Sequence, residues 1–175
     1  MSLALWKKIQ EDDMEAFDEF YHQYVDSLYR YGMSISRQED IVNDSLQIVF
    51  TKLYQKRHTI SIKTSPKSYL MTSLRRMIIE QLDQLNSFED TDFDAGLEFA
   101  EDSIQHKVIA NDHKAEMIGK LNKARNTLSK RQKEVIYLKF EQDLDYNEIS
   151  KVMNITKDAA YKLVNQALKR LTENF

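Results

Sequence analysis

Asp145-Tyr146-Asn147-Glu148-Ile149-Ser150-Lys151-Val152-Met153 runs into Asn154-Ile155 and then Thr156-Lys157-Asp158-Ala159-Ala160. The apolar spacing predicts a short amphipathic helix over 145–153 with Asp145 as its cap. Asn154-Ile155 forms a turn, because Asn tolerates the left-handed conformation. Thr156 then caps a second helix near 157–172, its hydroxyl satisfying one of the N–H groups that lack an intrahelical partner. Ile149, Val152, Ile155, Ala160 and Val164 have the spacing that packs two helices across a tight turn. That pattern is a helix-turn-helix, whose second helix enters the major groove of duplex DNA. The outward positions are Thr156, Lys157, Asp158, Tyr161, Lys162, Asn165, Gln166 and Lys169. An ordinary helical hairpin with a solvated polar face is the alternative for this segment alone.

Outward from that stretch the chain reads as helix throughout. Its 175 residues contain three Gly and one Pro, where average usage would place those two residues at about 12%. A β-sandwich or barrel needs turn signals far more often than this. Gly32, Gly96 and Gly119 are too scattered to form a phosphate-binding loop. Apolar residues recur at three- and four-residue steps through Phe17–Tyr31, Val42–Leu53 and Leu70–Leu85. Ser65-Pro66 opens a helix, since proline at the first helical position gives up an N–H that has no partner there. Helices are therefore predicted near 3–10, 13–34, 38–56 and 66–85, then near 104–127, 131–141, 145–153 and 157–172. The fold class is all-α.

Charge divides the chain more sharply than hydropathy does. Residues 1–85 carry a net −1, residues 86–106 carry seven acids and no base, and residues 107–175 carry +5. A helical domain over 1–85, an acidic linker over 86–106 and a basic helical domain over 107–175 follow, each suited to a different partner. Within the linker, Asp90, Asp92, Asp94, Leu97 and Glu101 stand at positions 1, 3, 5, 8 and 12 of a calcium loop. The sixth position, which needs glycine for the sharp turn, is Ala95. The acidic linker is also placed to attract the basic domain and cover its DNA-reading face, in competition with a simply solvated state.

Several classes of function are excluded by what the residues lack. There is no cysteine, hence no disulfide, no thiolate nucleophile and no Cys-based zinc site. His22, His58, His106 and His113 lack the spacing of a helical metal pair. Carboxylates are plentiful, but no nucleophile or histidine is placed with them, so no catalytic residue, metal or cofactor is expected and the protein is not read as an enzyme. No stretch approaches 18 apolar residues, and Lys7 and Lys8 follow only a short apolar segment, so neither membrane insertion nor secretion is expected and the location is read as cytoplasmic.

Leu128-Ser129-Lys130-Arg131-Gln132-Lys133-Glu134-Val135-Ile136-Tyr137-Leu138-Lys139-Phe140, leading into the helix-turn-helix and on to Ala167-Leu168-Lys169-Arg170-Leu171, resembles the C-terminal domain of bacterial sigma-70-type factors. In the N-terminal block, Ala16-Phe17 through Tyr29-Arg30-Tyr31, Asn43 through Tyr54, and Ser68-Tyr69-Leu70 through Arg75-Arg76 resemble the sigma-2 domain. Two such domains in this order, with only a linker between, look like the extracytoplasmic-function (ECF) group. The resemblance implies a dissociable subunit that binds core RNA polymerase, through its β′ and β subunits, and directs it to promoter DNA. It implies polymerase contacts at Asp44, Gln47 and Phe50, and −10 element contacts at Lys63, Lys67, Tyr69, Arg75 and Arg76. It assigns the −35 element to the outward positions of the second helix, where the cations are few. An anti-sigma factor is a further partner that the resemblance allows. Two other functions fit the same residues: a helix-turn-helix regulator acting on duplex DNA without polymerase, and a helical module that binds a protein partner.

Overall fold

The computed structural model describes residues 2–62, 65–86 and 123–174, which form an N-terminal and a C-terminal compact unit. All regular structure among the described residues is helical. Lys63, the linker with its calcium-loop spacing, and nearly all of the helix expected at 104–127 lie outside those residues. Of that helix only the turn at 123–126 is described.

In the N-terminal unit α1 (Ser2–Gln10), α2 (Met14–Ile35), α3 (Glu39–Gln55) and α4 (Pro66–Asn86) pack on one another. Nine residues are too few for α1 to be stable alone in water. It is held by burial of Trp6 and Ile9, with the Trp6 ring 6.1 Å from Phe20. Asp13 caps α2, its carboxylate accepting from the Ala16 N–H at 2.9 Å. Ser65 caps α4 in the same manner, accepting from the Ser68 N–H at 3.1 Å, as the Ser-Pro pair predicts. The interior is filled by large side chains, including Phe20, Leu28, Tyr31, Leu53, Leu74 and Ile78, each fully buried or nearly so. Burial of one such side chain stabilises the fold by about 1.5–3 kcal/mol. Gly32 lies where α2 crosses α3: a Cβ there would fall 2.6 Å from Val42 Cγ1.

Two side chains fasten the turn after α1 to the segment after α3. Gln10 Nε2 donates to the carbonyls of Arg57 and Ile60 at 2.9 and 3.2 Å. Asp12, in the left-handed region at φ 66°, receives Arg57 Nε at 2.6 Å and lies 3.3 Å from His58 Nε2.

The C-terminal unit begins its described part with the 123–126 turn and then α5 (Lys130–Ile136). Ser129 and Gln132 close a reciprocal capping box at the start of α5. The helix expected to run through 131–141 does not stay α: Tyr137–Glu141 widens to a π-helical turn. The Gln142 N–H donates to the Tyr137 carbonyl at 3.1 Å, and Gln142 Nε2 donates to the Tyr137 hydroxyl at 2.9 Å. Such a turn admits one extra residue, and Phe140 is left 59% exposed.

Next come α6 (Tyr146–Val152) and α7 (Lys157–Glu173). Asp145 and Glu148 cap α6 reciprocally, each side chain accepting from the other's backbone N–H at 2.8 and 3.0 Å. Asn154 adopts φ 53°, the left-handed turn expected of it. Thr156 Oγ1 accepts from the Ala159 N–H at 3.1 Å. Ile149, Ala160, Val164 and Ala167 are buried, and α7 packs on α5. Ile155, expected in the core, is only half-buried. No helix among the described residues is long and apolar enough to cross a membrane.

Candidate functional site

The described residues offer two surfaces with opposite chemistry, one on each unit. On the N-terminal unit the outer edge of α3 is a polar ridge. Asp44 and Gln47 are both exposed and stand three residues apart, hence on one helical face. An apolar groove of about 570 Å³ runs beside the ridge between α2 and α3. Tyr21, Tyr29, Leu46, Phe50 and Tyr54 line it, with Gln47 at its edge. A second groove of about 680 Å³ runs on the other side, between α3 and α4, and includes Asp40, Asp44, Lys52 and Glu80. Aromatic edges set the first groove's walls: Tyr21 meets Phe50 at 4.7 Å and Phe17 meets Tyr54 at 4.9 Å between ring centroids.

Phe50 is thereby placed differently from Asp44 and Gln47. It is 5% exposed and forms the floor of the groove rather than part of the ridge. The cause is its position in the apolar stripe Leu46-Val49-Phe50-Leu53, which must face the core. Tyr21, Tyr29 and Tyr54 were absent from the sequence-based site. Tyr21 falls in the apolar periodicity of its helix and Tyr29 and Tyr54 do not, and periodicity within one helix cannot show a groove formed by two.

The −10 set is divided in the same way. Lys67 and Tyr69 are half-exposed on the first turn of α4. Arg76 is exposed and already engaged, with Nε 2.6 Å from Glu80. Arg75 is 7% exposed, which corrects the expectation that both arginines face outward. It falls four residues after Met71 and three before Ile78, both fully buried, so α4 turns it toward the interior.

On the C-terminal unit every outward position predicted for α7 is exposed: Thr156, Lys157, Asp158, Tyr161, Lys162, Asn165, Gln166 and Lys169. Ala160, Val164 and Ala167 fill the opposite face. Lys169 Nζ lies 3.8 Å from Glu173. Tyr161, 53% exposed, stands edge-on to Tyr146 of α6 with centroids 5.4 Å apart. The Lys139 ammonium in turn lies 5.1 Å from the centre of the Tyr146 ring. The sequence reading gave Tyr146 and Lys139 no part in the site, because they come from separate elements with no shared period. Among the described residues no group of three or more acidic or histidine side chains is arranged to hold a metal.

In chain order a helical unit with a polar α3 ridge is followed by a capped helix-turn-helix. The Sigma-70 region 2 family matches residues 20–87 and the Sigma-70, region 4 family matches residues 118–171. The chain belongs to the sigma-70 family. It is 25% identical over 154 residues to the ECF RNA polymerase sigma factor SigM of Bacillus subtilis (strain 168), spanning 88% of this chain and 91% of SigM. It is a sigma factor of the ECF type. Its fold is similar to that of the sigma factor RpoE from Bartonella quintana, solved with the anti-sigma factor NepR. That match has a TM-score of 0.65 and 23% identity, over 91% of this chain and 96% of RpoE. CnrH, solved with the cytosolic domain of CnrY, matches at a TM-score of 0.62 and 13% identity, over 98% of this chain and 95% of CnrH.

Proposed function

We propose that this ECF sigma factor binds core RNA polymerase through the α3 ridge and recruits it to promoters through α7. The observation that carries the reading is the fully exposed polar face of α7, Thr156 to Lys169, presented by a capped helix-turn-helix on the same chain as the Asp44/Gln47 ridge. Asp44 and Gln47 supply polar contacts to a helical surface of the β′ subunit, and the grooves beside them receive its apolar side chains. Lys67, Tyr69 and Arg76 on α4 serve the −10 element. Tyr69 offers a ring on which an unpaired base stacks, a contact worth about 1–3 kcal/mol, and the cations neutralise phosphate. Lys157, Lys162 and Lys169 anchor the −35 duplex by the same charge effect, while Asp158, Tyr161, Asn165 and Gln166 face base edges.

The protein has no bond-making part of its own in this scheme; phosphoryl transfer belongs to the polymerase, in the cytoplasm. An anti-sigma factor is a further partner, in keeping with the complexes in which RpoE and CnrH were solved. The test is reconstitution with purified core polymerase, followed by transcription from genomic fragments that the holoenzyme selects. Promoter-dependent transcripts are expected only when the protein is added. Tight duplex binding with no affinity for core enzyme would instead make it an independent regulator.

A further inference from the structure

Tyr161 has a surrounding that the other outward residues of α7 lack. It is the fifth residue of the helix, within the N-terminal part from which such helices reach base edges. Its neighbours along the face, Lys157, Asp158, Lys162 and Asn165, are all charged or polar. Tyr161 alone presents a broad apolar surface there, 53% exposed. The ring is also held from behind. Tyr146 of α6 meets it edge-on at 5.4 Å with an interplanar angle of 74°. Lys139 sits 5.1 Å from the Tyr146 ring centre, and its ammonium is fixed by donation to the Leu144 carbonyl at 3.1 Å. Three elements, the π-helical turn, α6 and α7, thus contribute one residue each to a ladder ending at an exposed aromatic face.

A rigid apolar face in the major groove has one natural complement. Of the four bases only thymine projects a methyl group there, and apolar side chains read it by contact. A cation engaged with phosphate anchors the duplex without reading a base. We infer that Tyr161 is a specificity determinant for a thymine in the −35 element, and that Tyr146, steadied by Lys139, is the residue that positions it. The inference rests on α7 being the −35 reader, so its test must fail separately from that reading. Removing one methyl from an apolar contact corresponds to about 0.8 kcal/mol, or roughly a fourfold change in affinity.

The experiment uses holoenzyme and a randomised duplex library to recover a preferred upstream motif. Each thymine of that motif is then replaced in turn by deoxyuridine, which lacks only the 5-methyl group. Wild-type holoenzyme is expected to lose about fourfold in affinity at one position and little elsewhere. In Tyr161→Ala the ratio between the two duplexes falls to about one, whereas Tyr161→Phe keeps it, because the ring and not the hydroxyl makes the contact. Tyr146→Ala lowers the ratio in part, whereas a merely weakened unit would lose affinity for both duplexes alike and keep the ratio; an unchanged ratio in Tyr146→Ala overturns its positioning role. A recovered motif with no methyl-sensitive thymine overturns the inference and leaves the promoter reading standing, as does a methyl effect that survives in Tyr161→Ala. Failure to recover any upstream motif overturns both.

Discussion

The two units of this chain reach helical stability by different kinds of packing. Between α2, α3 and α4 the N-terminal unit buries Phe20, Tyr31 and Leu74, and grooves lie on both sides of α3. In the C-terminal unit α7 turns Ala160, Val164 and Ala167 inward, and its polar face is exposed. The first arrangement suits a protein partner that fills apolar grooves past an acidic edge. The second suits a groove in DNA, which admits one projecting helix and rewards cations on its rim. The two units therefore present different kinds of surface, one grooved and one a polar helical face.

The comparison breaks most readily at Gly32. Glycine inside a helix normally costs about 0.5–1 kcal/mol relative to alanine, so Gly32→Ala should stabilise on propensity alone. The added Cβ, however, meets Val42 Cγ1 at 2.6 Å, and Val42 is fully buried and stiff about its first side-chain bond. Overpacking of this kind costs about 1–3 kcal/mol, leaving Gly32→Ala destabilised by about 1–2 kcal/mol. Trp6 is the sole tryptophan and is buried in this unit, so its fluorescence reports the N-terminal transition. Denaturant unfolding should shift to lower midpoint, and with Val42→Ala in the same chain the combined loss should be smaller than the sum of the two single losses. An unshifted midpoint would mean that the α2–α3 crossing yields more readily than its bulky core implies.

Next in size is the α3 ridge. Asp44→Ala with Gln47→Ala is expected to weaken binding to core polymerase about tenfold, or ~1.4 kcal/mol. Both side chains are exposed, so the Trp6 transition should not move. Affinity unchanged by the double substitution would transfer the polymerase contact from the ridge to some other surface.

Arg75 and Phe50 show which parts of these sites could be read in advance. The helices themselves were legible: α2, α3, α4 and α7 lie within a residue or so of their predicted bounds, because an amphipathic stripe repeats for several turns. The α7 face was legible for the same reason, its exposed positions being those left over by Ala160, Val164 and Ala167. Arg75 was misplaced because charge outweighed register; Met71, Arg75, Ile78 and Leu82 form one continuous stripe, and the structure follows the stripe. The π-helical turn was illegible, since one inserted residue alters the phase only locally and Tyr137 and Leu138 are buried in any case. The aromatic groove and the Tyr146–Tyr161 pair are tertiary contacts, and no single period contains them.

On the C-terminal side, loss of a cap should matter where the core is small. Thr156→Ala removes the acceptor for the Ala159 N–H and is expected to cost about 1 kcal/mol. The measurement is far-ultraviolet circular dichroism on heating the whole chain. The circular dichroism change of the C-terminal unit should move to lower temperature while Trp6 fluorescence holds its midpoint, which would separate the stabilities of the two units.

The smallest predicted effect tests how far the surface proposed to meet DNA extends along α7. Lys157, Lys162 and Lys169 are all exposed, and of the three only Lys169 has an ion-pair partner among the described residues, Glu173 at 3.8 Å. Both members of that pair are well exposed, 77% and 58% by side chain, so their attraction is weak. A helical pair of this spacing is worth about 0.3–0.5 kcal/mol. If Lys169 contacts a phosphate, the pair must open first, and that amount is subtracted from binding. Glu173→Gln should therefore raise affinity for promoter duplex about twofold at low salt, with the gain shrinking as salt screens the charges. In a Lys169→Gln background the same substitution should gain less, because only the carboxylate's distant repulsion of phosphate is left to relieve. Lys162→Gln supplies the scale: loss of one phosphate contact should reduce the log–log salt slope by about 0.9. Should Glu173→Gln leave affinity unchanged while Lys162→Gln shows its full slope change, the contact surface ends before the last turn, and the contrast with the N-terminal unit narrows to the first three turns of α7.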